Sequence, residues 1–177
     1  SCLHSCARRS SGQAVCWGDN EHGQLGDGTT PPGSTFVNVS GLSDAVEISA
    51  GQYHSCARRG SGPVVCWGAN NHGQIGDNTN VDSPTPVNVS GLVDAAQIAA
   101  GGAHSCALLS SNQVVCWGSN EMGQLGNGTG TDQLTPVSVS GLGDAAEIAI
   151  AGNHSCARRR SGQVVCWGQN DLGRLGD

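Results

Sequence analysis

The chain has 177 residues, including 28 glycines and nine cysteines, and its net charge is −6, with arginine as the only basic residue besides histidine. This balance gives no electrostatic basis for nucleic-acid binding, and no apolar run approaches the roughly 18 residues of a membrane-spanning helix. The abundance of Gly, Ser, Thr and Val, with charged residues at only 12%, predicts an all-β fold with many turns.

The sequence is dominated by an internal repeat. The phrase HSCARRSSGQAVCWG, residues 4–18, returns three times in closely similar form, each copy 50 residues after the last. No insertion shifts this period, so the whole chain is expected to form one segment of a single repeat architecture. The repeats are counted approximately at 1–50, 51–100, 101–150 and 151–177, the last of them truncated.

Four short strands are predicted in each period. In chain order they are HSCAR from His4, AVCWG from Ala14, FVNVS (Phe36–Ser40) after a loop dense in Gly, Asn and Asp, and AVEISA (Ala45–Ala50), which leads into the next HSC phrase. Four strands in about 40 to 50 residues are typical of a β-propeller blade. No stretch of about ten residues carries a 3.6-residue period, which argues against a helical solenoid.

The first and the last blade are each predicted to lack one strand. No counterpart of AVEISA precedes LHSC, and no counterpart of TPVNV follows Asp177. Seven blades would need about 350 residues at this period, so we expect a segment of a longer propeller, or a partial propeller completed by another copy through Cys2 or the open blade edges. In either case the 177 residues do not close into a ring by themselves.

The turn of the HSC…CWG hairpin fixes which of its residues face each other. Its last position holds residue types that accept a left-handed backbone: Gly12, Gly62, Asn112 and Gly162. A three-residue loop of this kind, residues 10–12, makes Arg9 and Gln13 the closing hydrogen-bonded pair. Counting back by alternation places Cys6 opposite Cys16 at a non-hydrogen-bonded pair, where side chains come closest.

This register predicts one disulfide in each hairpin. The four pairs are Cys6–Cys16, Cys56–Cys66, Cys106–Cys116 and Cys156–Cys166. Disulfides imply an oxidising location, which is extracellular, at the cell surface or periplasmic. A zinc site is the main alternative, because His4 and Cys6 share one face with Cys16 opposite, but the spacing lacks the C-x-x-C knuckle of common zinc sites. Free buried thiols are the third interpretation.

Cys2 lies outside the repeat. The equivalent positions hold Gln52, Gly102 and Gly152. An odd cysteine in an oxidised protein suggests a partner thiol elsewhere. We expect Cys2 to pair outside these 177 residues or to remain free.

No repeated residue set predicts catalysis or cofactor binding. The four repeat histidines, His4, His54, His104 and His154, are expected to hydrogen-bond a backbone group between blades. Calcium is conceivable in the loops that contain Asp19, Asn20, Asp27 and Asp77. The position of Asp19 loses its carboxylate in the later repeats, however, and a repeating Asn in a Gly-rich loop more simply forms turns. We assign no metal ligand, and the calcium question stays open.

Arginines collect at the hairpin turns and form a candidate contact surface for an acidic partner or polymer. The positions in this row are Arg8, Arg9, Arg58, Arg59, Leu108, Leu109, Arg158, Arg159 and Arg160. The two leucines interrupt the basic stripe, and we expect them to be an exposed apolar contact in the same row. The competing interpretation is that these are ordinary solvated turn residues.

Three stretches carry a resemblance to a known family: IAAGGAHSCAL, VVCWGSNEMGQLGNG and TPVSVSGL. They resemble the repeats of the regulator of chromosome condensation family, and the cysteine-containing version resembles its exported bacterial branch. The resemblance covers the whole chain and implies a β-propeller, most often seven-bladed. The family's functions include nucleotide exchange on a small GTPase, chromatin contact, enzyme inhibition and scaffolding, and none is carried over because the exchange-factor residues lie outside the shared pattern.

These patterns together predict a disulfide-stapled, non-catalytic binding or structural propeller of an exported protein, with a protein partner or an acidic polymer as its ligand. The alternative is an enzyme or metal-binding protein whose site lies in the propeller channel or in parts outside this sequence.

Overall fold

The computed structural model describes residues 3–176, which form 14 β-strands and no helix. The strands are β1 His4–Arg8, β2 Ala14–Gly18, β3 Gly33–Asn38, β4 Ala45–Ala50, β5 His54–Arg59, β6 Val64–Gly68, β7 Ser83–Asn88, β8 Ala95–Ala100, β9 His104–Leu109, β10 Val114–Gly118, β11 Gln133–Ser138, β12 Ala145–Ala151, β13 His154–Arg159 and β14 Val164–Gly168. The all-β prediction is therefore confirmed. No helix among the described residues is long and apolar enough to cross a membrane.

The strands form four antiparallel sheets, each of which is one propeller blade. The first blade is β1-β2-β3, the second β4-β5-β6-β7, the third β8-β9-β10-β11 and the fourth β12-β13-β14. The inner position is thus empty in the first sheet and the outer position in the fourth, within the part of the chain that the structure describes. The prediction of four-stranded blades in an incomplete propeller is confirmed.

The hairpin turn has the predicted geometry. The Arg9 amide donates to the Gln13 carbonyl over 2.9 Å, and β1 pairs Cys6 with Cys16. The last turn residue has a positive φ in every blade: Gly12 (89°), Gly62 (117°), Asn112 (69°) and Gly162 (91°). Because only these backbone angles close a three-residue loop on a twisted hairpin, the turn sets the register of both strands.

The outer strand begins and ends earlier than the sequence suggests. In the first blade it spans Gly33–Asn38 instead of Phe36–Ser40. A register shift between Cys16 and Gly18 lets Gly18 pair with Gly33, so the strand extends toward its N-terminus. At its other end Val39 turns inward and is buried, which removes it from the pleated pattern.

The hydrophobic core lies between successive blades. Trp67 and Trp117 are fully buried, each against the glycine-rich loop of the preceding blade. An added Cβ on Gly26 would lie 2.6 Å from Nε1 of Trp67, so this loop glycine is needed both for its φ of 74° and for the close approach of the ring. Burial decreases at the two ends of the row of blades: Trp17 is 38% exposed and Val164 is 61% exposed.

Candidate functional site

Each blade hairpin contains one disulfide. The bonded pairs are Cys6–Cys16, Cys56–Cys66, Cys106–Cys116 and Cys156–Cys166. The prediction of a disulfide in every blade is therefore confirmed. Within residues 3–176 no group of three or more His, Cys, Asp or Glu side chains is placed to hold a metal ion. Cys2 lies outside the described residues, so its pairing stays a prediction.

A buried histidine joins each blade to the next through a serine hydroxyl. Nε2 of His4 lies 2.7 Å from Oγ of Ser55, and that hydroxyl donates to the carbonyl oxygen of Gln24 over 3.1 Å. Because the hydroxyl has one proton and gives it to Gln24, His4 must donate from Nε2, which fixes the tautomer. The histidines do act between blades as predicted: His4 has a backbone partner in Gln52 of the next blade, and in addition the serine stands between the imidazole and the Gln24 carbonyl.

The same relay occurs at the next two blade interfaces. His54 bonds Ser105 over 2.8 Å and His104 bonds Ser155 over 2.9 Å. The carbonyl at the end of each relay also accepts the indole N–H of the following blade, as Trp67 donates to Gln24 over 2.8 Å. The carbonyl oxygen of Gln24 in one blade thus accepts hydrogen bonds from both Ser55 and Trp67 of the next blade. The relay therefore holds neighbouring blades together.

These histidines are held in the neutral form. Burial lowers the pKa of His54 to about 3, with a further contribution from the neighbouring imidazoles of His104 and His4. Burial likewise lowers the pKa of His104 to about 4. An imidazole with so low a pKa is a poor general base in neutral solution. The histidines therefore serve the blade interface rather than proton transfer.

The glycine-rich loops are organised by a buried asparagine. The Asn20 amide donates to the carbonyl oxygens of Thr29 (3.0 Å) and Pro31 (3.1 Å), and its own oxygen accepts the Leu25 amide over 2.9 Å. Asn70 and Asn120 make the same contacts in their loops. Because both halves of the side chain are committed to the loop's own backbone, these asparagines act as turn formers, as expected.

Two histidine–aspartate pairs connect neighbouring loops, and the sequence interpretation missed them. Nδ1 of His22 lies 2.8 Å from Asp82 of the next blade, and Nδ1 of His72 lies 2.7 Å from Asp132. A signal for them exists in the sequence, because histidine occurs at this position in the first two repeats and aspartate at the partner position one repeat later. It is only visible once residues about 60 apart are compared.

The arginines of the hairpin row differ from blade to blade. In the second blade Arg58 pairs with Glu47 over 3.1 Å and Arg59 with Asp44 over 2.8 Å, both carboxylates coming from the inner-strand segment. The fourth blade repeats this with Arg158–Glu147 and Arg159–Asp144, each at 3.1 Å. Much of the row's positive charge is therefore neutralised within its own blade.

The first blade departs from this arrangement. Both Arg8 and Arg9 are exposed, and the Arg9 guanidinium lies 5.2 Å from the centroid of the Phe36 ring. Arg8 donates to the Arg9 carbonyl over 3.4 Å. Arg8 and Arg9 thus keep accessible positive charges, and so does the exposed Arg160, which donates to the neutral Asn112 side chain of the preceding blade over 2.9 Å.

The leucine pair of the row is not an exposed apolar contact. Leu108 is only 6% exposed and belongs to the hydrophobic cluster that contains Val114, Leu142 and Ala145. Leu109 is half-buried against the neighbouring cluster. The expectation that both leucines are exposed is therefore wrong, because the third blade turns this strand end into the core where the second and fourth blades keep paired arginines.

A cavity of about 290 Å³ lies where the inner strands end. Its lining residues are Ala50, Gly51, Gln52, Ala100, Gly101, Gly102, Ile150, Ala151 and Gly152. None of these carries an ionisable side chain, so the lining offers hydrogen-bonding backbone and one amide but no acid, base or nucleophile.

Sequence comparison identifies the repeat. Two sequence models, both described as the regulator of chromosome condensation (RCC1) repeat, match the chain. One matches residues 11–58, 61–108 and 111–158, and the other matches residues 45–74, 95–124 and 146–174. No curated protein sequence matches it at a significant level.

Solved structures of the same fold are similar to the chain over nearly its whole length. Yeast RCC1 (Prp20), solved bound to Kap60, has a TM-score of 0.83 and 25% identity, with 98% of this chain and 41% of that one covered. Prp20p from Saccharomyces cerevisiae, described with its binding to Gsp1p and histones, gives 0.82 and 24% over 98% and 43%. Human WBSCR16 gives 0.82 and 23% over 94% and 45%. The chain thus spans less than half the length of these structures.

Proposed function

Because the chain belongs to the regulator of chromosome condensation repeat family, we propose that it is a non-catalytic binding or structural propeller scaffold of an exported protein. The observation that carries this proposal is the use of the repeated polar groups. At the three blade interfaces the repeated histidine and serine join the blades, and the repeated asparagine closes the loops, as His54, Ser105 and Asn70 illustrate. What varies between repeats, above all the arginine row, is left for recognition.

Export is supported by the cysteines. Every hairpin carries a disulfide, and such bonds persist in extracellular, cell-surface and periplasmic proteins but are rare in the cytosol. Few aromatic residues are present, at 3% of the chain, so the bridges supplement a modest core. On the chain-entropy account each short bridged loop contributes about 2–3 kcal/mol.

The proposed partner is a protein or an acidic polymer at the hairpin rim. Yeast RCC1 was solved with the protein Kap60 bound, so a propeller of this fold does hold a protein ligand. In this chain the exposed arginines Arg8, Arg9 and Arg160 present positive charge at the rim, which suits an acidic ligand. The open edges of the first and fourth sheets add association between copies to the proposal.

The export proposal is tested by producing the chain in one bacterial host, with and without an export signal, and alkylating before any reduction. We expect the blade cysteines, for example Cys56 and Cys66, to escape alkylation only in the exported chain. Exported chain whose blade cysteines are alkylated, or cytosolic chain that is fully bridged and folded, would contradict it. Comparing the thermal midpoints of oxidised and reduced chain provides the control that the bridges matter for folding.

A further inference from the structure

Two asparagines occupy equivalent, solvent-exposed positions at the ends of outer strands. Asn38 is the last residue of β3 and Asn88 is the last residue of β7, and both are exposed. Asn88 is exposed although its blade packs against the first blade on one side and the third on the other. The exposure is therefore a property of the position within a blade.

Each of these asparagines begins an Asn-Val-Ser motif, at residues 38–40 and 88–90. Asn-x-Ser or Asn-x-Thr, with x other than proline, is the acceptor pattern for N-linked glycosylation of exported proteins. The valine in the middle of each motif is buried, Val39 at 2% and Val89 at 3% exposure, and anchors the segment on its blade. The asparagine before it is left in solvent.

The acceptor groups of both motifs are not used by the fold. Among residues 3–176 the side chains of Asn38, Ser40, Asn88 and Ser90 have no hydrogen-bonding partner. An N-linked glycan is bulky and hydrophilic, so a folded chain accommodates it only where the asparagine amide nitrogen can point into solvent. Both positions meet this requirement without any change in the blade.

Residues 127–129 match the same pattern but are engaged by their own loop. Oδ1 of Asn127 accepts the Thr129 amide over 3.1 Å and the Thr129 hydroxyl over 2.9 Å. It also accepts Nδ2 of the buried Asn120 over 3.1 Å. The asparagine and the hydroxyl of this motif are thus bound to each other, and the loop would have to open before an enzyme could read them.

Residues 153–155 are the fourth match and are unsuitable for a different reason. Nδ2 of Asn153, the atom that would carry the sugar, donates to Oε1 of Gln169 over 3.3 Å. Ser155 is buried, and its hydroxyl donates to the carbonyl oxygen of Gln124 over 3.0 Å. Two of the four motifs are therefore used by the fold, and the two on the outer strands are accessible.

We propose that Asn38 and Asn88 are N-glycosylation sites, each carrying an oligosaccharide at the outer strand of its blade. This proposal rests on the proposed export, because the transfer takes place in a secretory compartment that contains an oligosaccharyltransferase. Nδ2 of the asparagine attacks C1 of the first sugar of a lipid-linked oligosaccharide pyrophosphate. The C1–O bond breaks, the lipid pyrophosphate leaves with the bonding electrons, and the amide gives one proton to a base of the transferase.

The sites are mapped on chain produced with an export signal in a eukaryotic secretory host. The secreted protein is treated with a peptide N-glycosidase in heavy-oxygen water, which converts each glycosylated asparagine to labelled aspartate, and the label is located by peptide mass mapping. We expect label at Asn38 and Asn88 and none at Asn127 and Asn153.

Four variants separate the motif from its exposure. Ser40→Ala and Ser90→Ala should each abolish the label in their own motif and leave the other, because the third residue must carry a hydroxyl. Ser138→Asn places the motif at the equivalent, exposed position of the third blade and should add a third labelled site. Met122→Ser gives the fully buried Asn120 the same pattern, and Asn120 should stay unlabelled in secreted protein.

Absence of label at Asn38 or Asn88, or label at one of the engaged asparagines, would overturn the proposal, because exposure in the fold would then not select the sites. The alkylation pattern of the same secreted protein keeps the two proposals apart. Chain that is fully bridged but carries no glycan contradicts only the glycosylation sites. Glycosylated chain whose blade cysteines are alkylated contradicts only the disulfide argument for export.

Discussion

At the scale of single residues, the blade interface depends on a buried polar relay that tolerates no missing partner. His54 is fully buried, and its Nε2–H donates a hydrogen bond to Oγ of Ser105. The Ser105 hydroxyl in turn donates to the backbone carbonyl oxygen of Gln74. A buried donor whose acceptor is removed loses the hydrogen bond and retains its desolvation cost. Removing one partner of this relay is therefore expected to lower the free energy of unfolding by more than the value of a single hydrogen bond.

Replacing Ser105 with alanine tests this sensitivity. The substitution leaves the Nε2–H of His54 buried without its acceptor, so we expect a loss of about 1–3 kcal/mol in the free energy of unfolding, measured with urea. Ser5 occupies the same place in the first blade but is exposed. Ser5→Ala is thus a matched control that should change stability by less than about 0.5 kcal/mol. Equal effects of the two substitutions would show that the relay does not stabilise the interface.

The same histidines predict a loss of stability in mild acid. The unfolded chain protonates its histidines near pH 6.5, whereas the folded pKa is about 4 for His104 and about 3 for His54. Between these values the unfolded state binds more protons, so stability is complete above about pH 6.5 and falls as the pH drops toward 4. The slope is up to about 1.4 kcal/mol per pH unit for each histidine.

This acid sensitivity is measured as the urea midpoint between pH 7 and pH 4.5. H54Q/H104Q should flatten the profile, since glutamine retains an N–H donor but does not titrate. H22Q/H72Q removes the same number of histidines from the half-exposed loop pairs and should leave the slope attributed to the buried histidines in place. A profile that H54Q/H104Q leaves unchanged would contradict the assignment.

At the scale of the elements, the glycine-rich loop is shaped by the tryptophan of the next blade. Gly26 combines a left-handed backbone with contact to the Trp67 ring, whereas Gly41 has a similar φ of 65° and nothing within 4 Å of an added Cβ. The two positions therefore separate the cost of the backbone angle from the cost of a collision. Gly41 is required only by the backbone angle of its own turn, whereas Gly26 is also required by the tryptophan ring of the next blade.

Gly26→Ala and Gly41→Ala measure these two costs. We expect Gly41→Ala to lower the free energy of unfolding by about 1–2 kcal/mol, from the left-handed backbone alone. Gly26→Ala should cost at least about 2 kcal/mol more, because the ring of Trp67 must move out of a packed interface. Thermal and urea unfolding provide the comparison. Similar losses at both positions would mean that the tryptophan contact imposes no constraint.

At the scale of the whole molecule, the row of blades ends in an uncovered face. Val64 and Val114 are completely buried, but in the fourth blade Val164 is 61% exposed and Leu172 is 79% exposed. The positions equivalent to Val164 in the second and third blades are buried, whereas the position equivalent to Leu172 is half-exposed as Met122 in the third blade as well. The sheets do not close into a ring.

Light scattering over a range of concentrations tests the consequence. We expect the oxidised chain to associate as the concentration rises, and V164D/L172D to shift it toward monomer, because a charge on the uncovered face opposes apolar contact. Val93→Asp is the control, since Val93 is equally exposed at 66% but lies in a loop between blades. A monodisperse monomer in which the first blade pairs with the fourth would contradict the open arrangement.

What the sequence by itself determined are the features set by neighbouring residues and by the period. The repeat predicted the blades, the left-handed turn position predicted the register, and the register placed Cys6 opposite Cys16, because a hairpin involves only residues within about ten of each other. The tertiary structure decided what crosses between blades: the serine that meets His4, the aspartate that meets His22, and the burial of Leu108. Those partners lie 51 or 60 residues apart, and which positions meet depends on how one twisted sheet packs against the next. Local alternation carries no information about that offset, so only the packed structure reveals which arginines keep their charge accessible and which are already paired.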